Sequence, residues 1–266
     1  MESRERSNVK HIKLSTLCKM AEGNQLLKVM DNTVDSIFNK IEESSEEEDS
    51  TKSPNPLSDD EDNAQQKISS PCSFEAAIAL MESMEYKKEM PENLPGGILI
   101  DHVFAVSPHD LNVFLFGPNS KFRKDLEALQ GTTNVKESPW TWKSEDMSSL
   151  TRVVEYTKTA TKLVKAVNTT EEQTYIRVTK EEFCVHFNIG IPEIPFSNTF
   201  KMEMLYKIMP GGLSSGEVSS QLVVSWGIVF IQRTIMKSII ERGVRQGIKE
   251  SFDQFCNLLA QNFKLL

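Results

Sequence analysis

His102 and His186, each inside a β-rich stretch ("GGILIDHVFAVS" and "FCVHFNIGI"), are the side chains best suited to passing a proton near neutral pH. Neither has a nucleophile at motif spacing. The chain contains no GxSxG, no P-loop, no HExxH and no GxGxxG following a strand. The carboxylate pairs Glu171/Glu172 and Glu181/Glu182 fall in predicted turns and read as solvated. Cys18, Cys72, Cys184 and Cys256 are far apart and form no CxxC pair, so they suggest neither a zinc site nor a disulfide framework, and they fit a reducing compartment. On these residues the chain is read as a non-enzyme, with no cofactor and no metal.

Apolar spacing carries more information. In "FCVHFNIGI" the residues Phe183, Val185, Phe187, Ile189 and Ile191 share one strand face, opposite Cys184, His186 and Asn188. After Thr199, the residues Phe200, Met202, Met204, Tyr206 and Ile208 alternate with Lys201, Glu203, Leu205 and Lys207. Trp140 and Trp142 in "SPWTWK" lie two apart, on one face of a strand. Aromatic and methionine side chains in such rows either fill a core or line an adaptable apolar cavity. Between the two rows, Pro192 and Pro195 in "IPEIPFSNTF" remove two ladder donors, which predicts that pairing stops near Ile191 and resumes after Ser197. The basic run Arg152, Lys158, Lys162 and Lys165 either meets anionic lipid headgroups or forms a solvated face.

The elements that must position these rows occupy the last two thirds of the 266 residues. The net charge of −8 resides in the N-terminal part, since residues 95–266 are close to neutral, and a near-neutral folded part is a poor nucleic-acid binder. Residues 1–91 read as a largely disordered acidic region with short helices. One helix is suggested by Leu26, Leu27, Met30, Val34, Ile37 and Ile41, and another by "SFEAAIALMESM", with Ser73 as N-cap and Phe74, Ala77, Ile78 and Met81 on one side. Between them Glu42–Lys67 has too little apolar area to offset its ordering entropy. No signal peptide and no run long enough to span a bilayer is present, so a cytoplasmic protein is expected.

From Leu94 the pattern predicts a strand, two helices ("SPHDLNVFLFG" and "PNSKFRKDLEALQG") and then a meander. Its strands are Val135–Lys143, Arg152–Lys158, Thr161–Ala166, Thr174–Thr179, Phe183–Ile191, Thr199–Met209 and Ser220–Phe230, with "NTTEE" as a turn. A last helix, Thr234–Phe263, carries an apolar stripe through Ile235, Ile239, Val244, Ile248, Phe252, Phe255, Leu259 and Phe263. Its Gly243 and Gly247 suggest a close approach to the backbone or a slight bend. The expected class is α+β, a helix-grip arrangement in which a curved antiparallel sheet wraps around the long C-terminal helix.

The segments "LPGGILIDHVFAVSPHDLNVFLFGPNSKFRKDLEALQGTTNV", "SPWTW", "LTRVVEYTKTATKLVKAV", "EEQTYI", "IPFSNTFKMEMLYKIMPG" and "LVVSWGIVFIQRTIMKSIIERGVRQGIKESFDQFCNLLAQNF" together resemble the VASt domain, a domain similar to StAR-related lipid-transfer domains. More narrowly they look like the first of two such domains in plant C2 and GRAM domain-containing proteins. The resemblance covers about residues 92–264. It implies a pocket for a sterol or phospholipid between sheet and helix, work at intracellular membranes or their contact sites such as those of the ER, and peripheral contact with anionic membranes. Relative to that pattern, the chain lacks the C2 and GRAM domains, a second VASt copy and the apolar segment that follows the domain.

Carried onto this sequence, the expected pocket wall is Trp140, Trp142, Phe183, Val185, Phe187, Phe200, Met202, Met204, Tyr206, Ile235 and Ile239. The expected mouth is Phe116, Gly117 and Pro118, with Ile194, Pro195 and Phe196 as second choice. The rival reading is a protein-interaction module with a filled core, recruited to a defence or membrane-trafficking partner.

Overall fold

Period-two alternation in the second half of the chain resolves into one curved antiparallel sheet. The computed structural model describes residues 73–84, 89–145, 147–159, 166–194, 196–212 and 216–266. The helix around Leu26–Ile41, the acidic segment Glu42–Lys67 and most of the strand expected at Thr161–Ala166 lie outside the described residues. The strands are β1 (Gly97–Phe104), β2 (Thr132–Glu137), β3 (Thr141–Trp142), β4 (Leu150–Lys158), β5 (Val167–Val178), β6 (Phe183–Gly190), β7 (Phe200–Pro210) and β8 (Ser220–Phe230). They are ordered β1-β8-β7-β6-β5-β4-β2, and β3 pairs with β4 beyond β2. Register shifts in the β1–β8, β2–β4 and β5–β6 ladders bend the sheet, as extra residues in a strand do.

Two short helices, α2 (Pro108–Phe116) and α3 (Lys121–Leu129), follow β1, and the long α4 (Lys237–Asn262) ends the chain's regular structure. Ser107 and Ser120 cap α2 and α3 through their hydroxyls, and Gly131, at φ +62°, ends the turn after α3. The concave face of the sheet grips α4 through Ile248, Phe252, Phe255 and Leu259, all buried, which makes the fold an α+β helix grip. The far end of α4 is anchored twice. Phe263 meets Phe114 edge-on at 4.7 Å, and the tail beyond it bonds to β1 through Lys264 O and the Leu266 amide.

Three elements differ from the sequence reading. The strand expected at Val135–Lys143 is two strands, because Pro139 has no amide to donate and the ladder breaks around it. "NTTEE" is not a turn but the first half of the 12-residue β5, whose residues from Val167 onward pair with β4. The helix α1 (Phe74–Ser83), read as part of a tail, is packed into the core: Phe74, Ala77, Ile78 and Met81 are buried, and the Phe74 ring lies 5.9 Å from Trp140 and 6.2 Å from Tyr175.

The segment from Glu89 to Gly96 crosses the outer face of β7 and β8. Lys207 Nζ donates to Pro91 O at 3.1 Å, and the Leu94 amide donates to Ser225 Oγ at 3.0 Å. Leu94 and Pro95 lie where a Cβ on Gly227 would touch them. This strap explains why Leu205 and Lys207, expected on the solvent side of β7, are buried.

Candidate functional site

The inward residues of β6 and β7 meet as the period-two reading requires. Phe187 and Tyr206 stack at 4.6 Å, and Tyr206 in turn faces Phe252 and Phe255 of α4 at 6.2 and 6.3 Å. Trp140, Trp142, Phe183, Val185, Phe187, Met202, Met204 and Tyr206 belong to one buried cluster with Phe252 and Phe255. Phe200 belongs to a second, smaller one with Met236 and Ile240, packed by Ile194, Phe196 and Val244.

Between the two clusters opens a cleft lined by Ile189, Ile191, Ile194, Ser197, Phe200, Met202 and Val244. Its free volume is about 20 Å³. That accommodates a water, whereas a lipid-sized pocket needs several hundred Å³. The lipid-sized space expected at this site is therefore filled by the protein's own side chains in this conformation.

Several site residues take other places than expected. Ile235 is 95% exposed and Ile239 also points outward, while Met236 and Ile240 face the sheet. The apolar row on α4 runs back from Ile248 by fours through Val244 and Ile240 to Met236, and the five-residue step from Ile239 to Val244 marks the change of row. Phe116 is no rim residue: it packs on Tyr175, Phe187 and Tyr206 near 6 Å and forms part of the core floor. Gly117 ends α2 where any Cβ would meet Val113 O at 2.5 Å. Gly243 and Gly247 approach nothing, since a Cβ on either would have no neighbour within 4 Å.

The second-choice mouth is the one that lines the cleft. β6 ends at Gly190 and β7 begins at Phe200, as the prolines suggest. Between them Phe196 takes φ +65°, a left-handed conformation that is costly for an aromatic residue and persists only where neighbours hold it. They do so here: Ser197 Oγ donates to Pro192 O at 2.8 Å, and Thr199 Oγ1 and its amide both donate to Phe196 O. Pro195 lies outside the described residues.

Polar residues line the other half of the concave face, a feature that period-two reasoning missed. Arg152 is 2% exposed on β4; its Nε donates to Gln173 Oε1 at 2.8 Å, its Nη1 lies 3.4 Å from Glu137 Oε2, and its guanidinium stacks on Trp140 at 4.5 Å. Gln173 Nε2 donates to Glu171 Oε2, and Tyr156 OH donates to Glu171 Oε1 at 2.7 Å. Glu171 is thus a half-buried acceptor within β5, not a solvated turn residue. Burial pushes the Arg152 guanidinium down to about 9, so it remains charged at neutral pH, and burial with the Glu171 carboxylate pushes the Tyr156 phenol well above its usual range.

The membrane-contact expectation therefore fails for Arg152. Lys158 is turned inward onto Gln130 Oε1 at 2.7 Å and over the Tyr156 ring, while Lys162 and Lys165 lie outside the described residues. The signal that could have placed Arg152 was its even position in β4, in step with Leu150 and Val154.

His186 Nε2 is 3.8 Å from Glu203 Oε2 on the outer face of the sheet, and among the described residues no three His, Cys, Asp or Glu side chains gather as for a metal. Burial pushes the Cys184 thiol up to about 12, so it is neutral and a poor nucleophile at physiological pH. Alkylation of the native chain at pH 8, read by peptide mass spectrometry, is expected to leave Cys184 unlabelled until denaturant is added; labelling at the rate of an exposed thiol would show that the β6–β7 sheet opens. A folded-state pKa above the unfolded one also means that the unfolded chain releases this proton first, so stability declines as pH rises from about 9 toward 12.

An antiparallel sheet gripping a terminal helix, with an apolar cleft between them, defines the StAR-like class of lipid-binding fold. The family model that matches residues 98–247 is VASt, the VAD1 Analog of StAR-related lipid transfer domain, and the chain belongs to that family. It is also 50% identical over 198 residues to a C2 and GRAM domain-containing protein of Arabidopsis thaliana, across 74% of this chain. The chain spans about a fifth of that relative, 19% of its length. Among the described residues no helix is long and apolar enough to cross a membrane.

Proposed function

We propose that the domain binds a membrane lipid, a sterol or a phospholipid, in the space now closed between β6–β7 and α4, and carries it between intracellular membranes without a covalent step. The observation that carries this reading is the apolar cleft lined by Val244 of α4 together with β6, β7 and the corner between them. The C-terminal half of the helix is anchored by Phe252, Phe255, Leu259 and the Phe263–Phe114 contact. The N-terminal half is held by the small Phe200–Met236–Ile240 cluster, by Ile248 in the main core and by the Arg245 guanidinium 5.2 Å over the Trp226 ring, and it contains two glycines with open space around them.

Each interior glycine weakens a helix by about 1 kcal/mol relative to alanine. With no packing reason for either, they soften α4 where it would have to lift for Met202, Met204 and Tyr206 to receive an apolar ligand. Burial of the ligand's apolar surface, at about 25 cal/mol per Å², supplies the drive.

Gly243→Ala with Gly247→Ala is expected to raise the stability of the chain by about 1–2 kcal/mol and to slow uptake of a fluorescent sterol or phospholipid from detergent micelles. Stabilisation with unchanged uptake would show that α4 does not move for loading.

The filled core favours a second reading, an interaction module that needs no ligand. Mass spectrometry of lipid copurified with the full chain separates the two: stoichiometric lipid supports the carrier. Absence of lipid, with no uptake from micelles, supports the module.

A further inference from the structure

We propose that the turn between β8 and α4, together with the first turns of α4, is the surface that docks this domain on an anionic lipid bilayer. The inference rests on the lipid-carrier reading and adds to it the face that meets the membrane. Ile231 is 54% exposed, Ile235 95% and Ile239 36%, and all three lie within nine residues. Val229, at the end of strand β8, is exposed as well. Single exposed aliphatic residues are ordinary on a soluble protein, but a local group of them at the end of one strand and the start of one helix is not.

The tip sits at the cleft. The amides of Ile231 and Gln232 both donate to Thr199 O, at 2.8 and 3.3 Å, and so tie the tip to the β6–β7 corner whose Ile194 and Ser197 line the opening. Met236, between Ile235 and Ile239 in sequence, turns inward onto Phe200. A surface pressed against the outer isoleucines therefore lies beside the small cluster that closes the mouth.

Charge selects the occupant. Arg233, Lys237 and Arg242 are exposed among the isoleucines, and the acid nearest in sequence is Glu241, 3.9 Å from Lys237. No side chain caps the N-terminus of α4 and no acid lies in its first turn, so the positive end of the helix dipole is left uncompensated on the same side. Aliphatic tips interleaved with cations match a bilayer interface, where the tips enter the acyl boundary and the cations remain among anionic headgroups. A protein partner would be expected to meet aromatic anchors here, and the exposed residues are aliphatic.

The test uses the full chain and flotation with two vesicle types, phosphatidylcholine alone and phosphatidylcholine mixed with phosphatidylserine. The wild type is expected to float with the anionic vesicles and to be released by high salt. Arg233→Glu with Lys237→Glu should reduce that partitioning by at least tenfold, since each cation near an anionic surface contributes roughly fivefold. Ile231→Ser with Ile235→Ser should reduce it comparably, and Ile235→Ser alone, at a side chain that packs on nothing, should do so in part without altering the melting temperature.

Flotation of all variants like the wild type, or a wild type that floats with neither vesicle or with both equally, overturns the proposal. Uptake of the fluorescent lipid from micelles is the separate readout of the pocket. It should be unchanged in the tip variants, and its failure in the wild type would strike the carrier reading while leaving the flotation result to judge the docking surface.

Discussion

Met81→Ala is expected to lower the unfolding free energy by about 2–5 kcal/mol, the range for removing a fully buried methionine side chain. Met81 has no exposed surface, and Ile78 and Ala77 beside it on α1 are buried almost as completely. The helix lies upstream of the family-matched residues 98–247, yet its Phe74 ring stands against Trp140 and Tyr175 and its Glu82 lies 3.8 Å from His109 of α2. For a unit of this size the expected fall in melting temperature is about 4–20 °C.

The loss has a ceiling. Once α1 leaves the sheet, further truncation on its buried face removes nothing more, so Met81→Ala combined with Ile78→Ala should cost less than the sum of the two. Leu80→Ala, on the exposed side, should stay within about 0.5 kcal/mol of the wild type. Equal, small effects from Met81→Ala and Leu80→Ala in chemical denaturation would mean that the helix does not dock in solution.

Helix α1 also shows how far the sequence could be read. Its existence and inward face follow from local signals: a serine whose hydroxyl accepts from the Ala76 amide at 3.1 Å, and apolar residues at helical spacing. Its docking depends on Tyr175, about a hundred residues away, and no local pattern encodes that contact. The rows on β6 and β7 were legible for the same reason that α1 was, because a buried strand face is written in alternate residues. Leu205 and Lys207 broke the alternation because the 89–96 strap covers them, again a contact between distant segments.

At the mouth, the two prolines announced the corner, but the left-handed Phe196 had no signal in residue type. On α4 the stripe was legible from Ile248 onward, where a three- and four-residue spacing is unbroken. Upstream of it two apolar rows compete, and only the sheet decides between Ile235/Ile239 and Met236/Ile240. The closed cleft could not be read at all, since whether aromatic residues line a cavity or fill it depends on how the rings meet.

Arg152→Ala is expected to be the most damaging single change on the β4–β5 side, at about 3 kcal/mol, or about 6–12 °C in melting temperature. Removing the guanidinium strands its partners unequally. Glu137 is partly exposed and keeps Arg123, whose Nη2 lies 2.9 Å from its Oε1, so it retains a partner. Gln173 is 1% exposed and loses the donor to its Oε1, which costs about 1–3 kcal/mol for a buried acceptor. The rest is the lost contact with the Trp140 face and the cavity left behind.

This apportioning makes further outcomes definite. Arg152→Met refills the volume, so it should lose less than Arg152→Ala. Arg152→Met with Gln173→Leu should recover part of the remaining loss, because buried ion pairs replaced by well-packed apolar groups are often neutral. Arg152→Lys keeps the charge and loses both the fork and the stacked plane, and is expected to be no better than the methionine. Arg152 Nη2 has no hydrogen-bond partner among the described residues, so the arginine is itself incompletely satisfied and the double apolar variant has less to make up. Equal losses for alanine and methionine with recovery by lysine in urea unfolding would show that the charge itself, not the packed plane and the Gln173 bond, holds β4 to β5.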